Sequence, residues 1–174
     1  MLSEDGKHMY VSWDEYHALI EKLALKIYKS GWEFDQILCL ARGGTRPGDI
    51  LSRVFDKSLA IMSTSSYREE SGTKQGRLDI ASYITLPKGE LEGRVLLVDD
   101  LADSGETLKA VADKLLTSPL KISEMRSAVI WVKGISTVLP DYYVDMLPSS
   151  PWIHQPFEEY DTLRPSKLAE RWKI

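Results

Sequence analysis

The chain has 174 residues, 43% of them hydrophobic, enough to bury one core of ordinary size and too few for two independent domains. Its formal charge is −4, from 22 Lys and Arg against 26 Asp and Glu, which argues against a broad basic footprint for nucleic acid. The single cysteine, Cys39, leaves no disulfide framework; its place in the apolar run "QILCLA" predicts a buried, inert thiol. No apolar run approaches the roughly 20 residues that cross a bilayer. The N-terminus "MLSEDGKHMY" lacks the basic-then-apolar layout of a signal peptide. One domain over 1–174, cytoplasmic and without an integral membrane segment, is expected.

The first predicted element is a helix over "SWDEYHALIEKLALKIYKSG". Ser12 and Glu15 form a capping-box pattern, Tyr16, Leu19, Ile20, Leu23 and Ile27 recur at helical spacing, and Gly31 offers a stop. Short apolar runs rich in β-formers follow: "ILCLA" at 37–41, "LAIM" at 59–62, "RVLLV" at 94–98 and "AVIWV" at 128–132. A helical pattern from Pro47 to Phe55 separates the first two, and another with Leu108, Val111, Ala112 and Leu115 on one face separates the last two. Strands that are apolar throughout and alternate with helices predict an α/β fold, its central, mainly parallel sheet flanked by helices.

Two regions break that rhythm. Residues 63–88, polar and carrying Gly72 and Gly76, read as a long mobile loop or an irregular hairpin beside a site. The tail from Pro140, with "PSSPWIHQPFEEYDTLRP", combines prolines with aromatics and reads as an irregular cover rather than a regular helix.

In an open parallel sheet, ligands bind outside the carboxyl ends of the strands, and the unusual residues fall there. After "RVLLV" comes "DDLADSGET". Backbone N–H groups entering a helix cradle an anion, Ser104 and Thr107 add hydroxyls, and Gly105 admits close approach. An ordinary Ser cap with a Glu in the first helical turn would look similar. The adjacent Asp99 and Asp100 are what such a cap does not explain, since two neighbouring carboxylates at a strand end call for a cation, sugar hydroxyls or both. A solvated turn is the plain alternative. The segment "ARGGTRPG" supplies a second anion site through Gly43, Gly44 and Arg42.

These residues resemble the type I phosphoribosyltransferases, and among them the xanthine-guanine and hypoxanthine-guanine purine enzymes of bacteria and archaea. The family signature is matched by "VLLVDDLADSGET", with Ala102 standing where a larger aliphatic residue is usual. The segments "SWDEYHALIEKLALKI", "ARGGTRPGDILSR", "SSY" at 65–67, "WVKG" and "PWIHQPF" resemble family segments in the same order.

The resemblance implies transfer of the phosphoribosyl group of phosphoribosyl pyrophosphate (PRPP) to N9 of a 6-oxopurine, with release of pyrophosphate and Mg²⁺ as cofactor. It places the 5′-phosphate on Asp103, Ser104, Gly105, Glu106 and Thr107. Asp99 and Asp100 face the ribose hydroxyls and the metal. Arg42, Gly43 and Gly44 bind the pyrophosphate, with a cis peptide at Ala41–Arg42, and Lys74 or Arg77 reaches it from a mobile loop at about 66–83.

By the same resemblance, Asp103 would assist proton movement near the purine N7. The resemblance likewise implies that Lys133 bonds the oxygen on C6, that Trp152 stacks on the base and that Ile153 lies in the base-recognition segment of a C-terminal hood, about 140–174. His154 and Gln155 differ in detail from some relatives, which leaves the preferred purine open. Relatives are commonly homodimers or homotetramers, so a homo-oligomer is implied. Other readings are a ligand sensor of the same fold that regulates transcription or RNA, and an enzyme using a different nucleobase. A receiver-type signalling domain fits poorly, because its acidic pair follows the first strand. No P-loop, G-x-S-x-G elbow or H-E-x-x-H pair occurs.

Overall fold

The computed structural model describes residues 2–68 and 75–174. It begins with a short strand, β1 (His8–Tyr10), and then the expected capping box: Ser12 Oγ accepts the Glu15 N–H at 3.2 Å while Glu15 Oε2 accepts the Ser12 N–H at 2.8 Å. Helix α1 (Trp13–Lys29) ends as foreseen, with Ser30 as cap and Gly31 at φ +70°.

The predicted strands and helices follow in order as β2 (Gln36–Ala41), α2 (Thr45–Val54), β3 (Ser58–Arg68), β5 (Gly93–Val98), α3 (Glu106–Leu116) and β7 (Ile122–Lys133), and two further strands lie between them, β4 (Gln75–Ile80) after β3 and the short β6 (Leu101–Ala102) after β5. Strands β3, β2, β5 and β7 lie side by side and parallel. Both faces of the sheet are covered. Ile37 and Cys39 of β2 pack with Ile20, Leu23 and Ile27 of α1 and with Leu51 of α2. Leu38 and Leu40 point the other way, toward Leu108, Val111 and Leu115 of α3. Each fully buried aliphatic side chain is worth about 1.5–3 kcal/mol, and neither face offers a solvated side to a polar residue. That is why these strands read as apolar throughout.

The polar stretch after "LAIM" is a hairpin. Strand β3 continues through Arg68 and β4 returns antiparallel, with Thr64 opposite Ile80 and Ser65 opposite Asp79. An antiparallel pair tolerates one wet face, so Ser and Thr in alternation are compatible with it. Of the cationic residues expected on this arm, Lys74 lies outside the described residues, as does the side chain of Arg77.

The tail is more regular than its prolines imply. Strand β8 (Tyr142–Leu147) pairs parallel with the outer edge of β7, and β9 (Trp152–His154) pairs parallel with β1, tying the two ends of the chain together. Helices α4 (Glu159–Thr162) and α5 (Pro165–Trp172) complete it. Pro165 stands at the start of α5, where its missing N–H leaves nothing unpaired. Among the described residues no helix is long and apolar enough to cross a membrane.

Candidate active site

The acidic pair sits in a break of one strand line. Ala128 of β7 pairs with Val98 of β5 on one edge and Tyr142 of β8 on the other, while Trp131 pairs with Leu101 and Asp145. Strand β6 therefore resumes the line of β5 after Asp99 and Asp100. Backbone bonds hold the break: the Asp99 N–H donates to the Ala128 carbonyl at 3.1 Å, and the Ile130 N–H donates to the Asp100 carbonyl at 2.9 Å. The carboxylates also accept local donors, Asp99 Oδ1 from the Asp100 N–H at 2.9 Å and Asp100 Oδ1 from the Leu101 N–H at 2.8 Å. Burial, followed by the neighbouring Asp100 charge, pushes the Asp99 carboxyl well above the usual carboxylate range.

The loop after β2 lies directly against this pair. A Cβ on Gly43 would stand 2.5 Å from Asp100 Oδ1, and one on Gly44 would strike the Val98 carbonyl. Glycine is required here by closeness rather than by a positive φ. The Ala41–Arg42 peptide is cis, as the resemblance implies. The Arg42 guanidinium is exposed, 3.5 Å from Asp161 Oδ1 in the hood.

Beyond β6, the loop 103–105 leads into α3. Gly105 has φ +80°, and a Cβ there would collide with the Val138 carbonyl. The carbonyl of Ser104 accepts the Thr137 and Val138 N–H groups at 3.2 and 3.3 Å, and its hydroxyl accepts the Glu106 N–H at 3.3 Å. The segment after β7 thus braces this loop from behind, and the N–H groups of the first turn of α3 need partners from outside the helix. Lys133, the last residue of β7, is 7% exposed and holds its ammonium 3.3 Å from Asp103 Oδ1.

In the hood, strand alternation separates the two residues expected at the base. Ile153 is 4% exposed and belongs to the core beneath α1, so only its backbone is available to a ligand. Trp152 is 49% exposed, donates its indole N–H to Glu158 at 3.2 Å, and borders a cavity of about 940 Å³ with Tyr10, His154, Gln155 and Glu159. Lys133 is joined to Asp103 and is not among the residues that line that cavity.

The model of the phosphoribosyl transferase domain matches residues 12–162, spanning α1, the sheet, both glycine loops and most of the hood. The chain belongs to the phosphoribosyltransferase family. A purine phosphoribosyltransferase from Pyrococcus horikoshii is 31% identical, with a TM-score of 0.72 over 91% of this chain and 99% of that one. The xanthine-guanine-hypoxanthine phosphoribosyltransferase of Helicobacter pylori is 25% identical, with a TM-score of 0.70 over 96% of this chain and 99% of that one. A Neisseria gonorrhoeae protein solved with bound ppGpp shares the fold at 22% identity and a TM-score of 0.69, over 95% and 97% of the two chains.

In this phosphoribosyltransferase two features were not foreseen. Gln155 donates its amide to Asp100 Oδ2 at 2.5 Å, and His8 lies with Nδ1 2.9 Å from His154 Nε2, with Tyr10 stacked on His154. Neither left a signal in the sequence, because each depends on the β1–β9 pairing of distant segments. Among the described residues no three His, Cys, Asp or Glu side chains form a metal cluster. Asp99 and Asp100 alone suit Mg²⁺, which takes one or two carboxylates and completes its shell with substrate phosphates and water.

Proposed function

We propose that the protein is a Mg²⁺-dependent purine phosphoribosyltransferase that joins N9 of a 6-oxopurine to the anomeric carbon of PRPP and releases pyrophosphate. The observation that carries this reading is the convergence of loops at one end of the sheet. Gly43 lies against Asp100, and Lys133 against Asp103, with the anion loop beginning at that same Asp103. The two purine-enzyme relatives named above support the choice of acceptor.

The roles follow from charge and reach. Backbone donors of 103–107 hold the 5′-phosphate, and Asp99 and Asp100 take the ribose hydroxyls and the metal. When held there, Mg²⁺ would supply positive charge against that of the pyrophosphate. Arg42 and the N–H groups of Gly43 and Gly44 receive that group, and drawing pyrophosphate onto Arg42 competes with its exposed pairing to Asp161. As the C1–oxygen bond breaks, its electron pair leaves with pyrophosphate and the N9 lone pair forms the new bond. Asp103 takes up the purine proton at N7. The ammonium of Lys133 donates to O6; a 6-amino group offers no acceptor in its place, which disfavours adenine. Trp152 and the backbone of Ile153 form the base segment.

The test is nucleotide formation from PRPP and Mg²⁺ with xanthine, guanine, hypoxanthine, adenine, orotate and uracil in separate reactions. Product from the oxopurines alone supports the reading. Product from orotate or uracil alone would replace the acceptor, and PRPP binding without product from any base would favour a ligand sensor.

A further inference from the structure

Gln155 joins the hood to the acidic pair by a side-chain bond. It follows β9 directly and is 6% exposed, with its Nε2 donating to Asp100 Oδ2 at 2.5 Å. Asp100 Oδ1 is already engaged by the Leu101 N–H at 2.8 Å, and Gly43 stands on its other side. The carboxylate is thus held at both oxygens, once by its own strand and once by the hood. A carboxylate has about four lone-pair sites, so two such bonds fix the plane of the group and still leave acceptors for a ligand.

The choice of an amide has a physical reason. A lysine or arginine at 155 would neutralise Asp100 and compete with a cation for it. Glutamine orients the carboxylate through a neutral donor and leaves its charge intact. The other end of the amide, Gln155 Oε1, is buried without a hydrogen-bond partner among the described residues. Its backbone is continuous with Trp152–His154, so the orientation of Asp100 and the position of the base segment share this contact.

We infer that Gln155 is a positioning residue for PRPP, setting the rotamer in which Asp100 meets the ribose hydroxyls and metal, and tying that carboxylate to the base segment. This rests on the reading of Asp100 given above. Supporting side chains of this kind commonly change affinity by about 10-fold or more when lost.

The experiment compares the unsubstituted protein with Gln155→Met, which keeps length and burial, and Gln155→Leu as a second donor-less variant. Calorimetric titration with PRPP in the presence of Mg²⁺ gives Kd, steady-state assays give KM for PRPP and for guanine, and circular dichroism with thermal melting reports folding. The expected result is a folded variant with PRPP Kd and KM raised about 10-fold and guanine KM changed less than about twofold. Unchanged PRPP affinity in both variants would overturn the inference alone. So would equal losses for PRPP and guanine accompanied by a lowered folded fraction, which is what a packing role produces. Failure of the unsubstituted protein to bind PRPP would overturn the reading of the site and this inference with it.

Discussion

Lys133 and Asp103 stand 3.3 Å apart, a buried ammonium against a half-buried carboxylate, and this contact joins the end of β7 to the first residue of the loop that leads into α3. A lysine after a strand is ordinarily a surface residue. Here burial against a single carboxylate gives it a fixed direction, and a fixed donor can discriminate one base edge from another.

Replacing Lys133 by Ala is therefore expected to act on the base and not on PRPP. Loss of a charged hydrogen bond, about 1.5–3 kcal/mol, lowers kcat/KM for 6-oxopurines by about 10- to 100-fold. PRPP affinity stays within about twofold. Steady-state kinetics with guanine and calorimetry with PRPP separate the two, and unchanged kinetics would remove Lys133 from the base site.

Gly105→Ala tests the proposed anion site at 103–107. An L side chain at φ +80° costs about 1–2 kcal/mol, and the added Cβ must also displace the Val138 carbonyl. The variant should melt several degrees lower, at about 2–4 °C per kcal/mol for a chain of this size, and bind PRPP more weakly. An unaltered melting temperature with unaltered PRPP affinity would show that the loop does not have this geometry.

The Asp99 carboxyl, raised well above its ordinary range by burial and then by Asp100, makes stability depend on pH. Between about pH 4, where an unfolded Asp titrates, and its raised folded value, the folded chain binds the proton more tightly. Stability therefore falls as pH rises through that window. Asp99→Asn keeps an acceptor for the Asp100 N–H and removes the titration. Without Mg²⁺ or PRPP it should melt above the unsubstituted protein at pH 7–8 and converge with it near pH 4. A difference independent of pH would contradict this account.

Cys39 is completely buried, and burial pushes its thiol up to about 11. The native protein should resist a thiol reagent at pH 8 until it is unfolded by denaturant. Rapid labelling of the native chain would show that β2 is not covered by α1 and α2 as described.

The sheet was legible because its strands are apolar on both faces and its helices carry clear stripes, α1 with a capping box as well. Ser12 with Glu15, and Leu38 with Cys39 on opposite faces, follow from local chemistry alone. The turn before α3 was legible for the same reason, since Gly105 and Ser104 announce it. The hood was not. The apolar run of β8 is broken by Asp145 and flanked by prolines, and β9 acquires its partner only from β1 at the far end of the chain. The bond from Gln155 to Asp100 spans 55 positions in sequence, so its meaning depends on that folding. Asp99 and Asp100 could be recognised as needing a cation or hydroxyls, but the neutral amide that orients one of them carries no such mark.

The most direct test of the central claim is the stoichiometry of pyrophosphate release when purified protein, PRPP, Mg²⁺ and guanine are mixed. The account predicts one pyrophosphate for each nucleotide formed, with little release when the base is omitted and almost none from Asp100→Asn. Pyrophosphate release independent of the base, or PRPP bound and left intact in the presence of all three oxopurines, would contradict it.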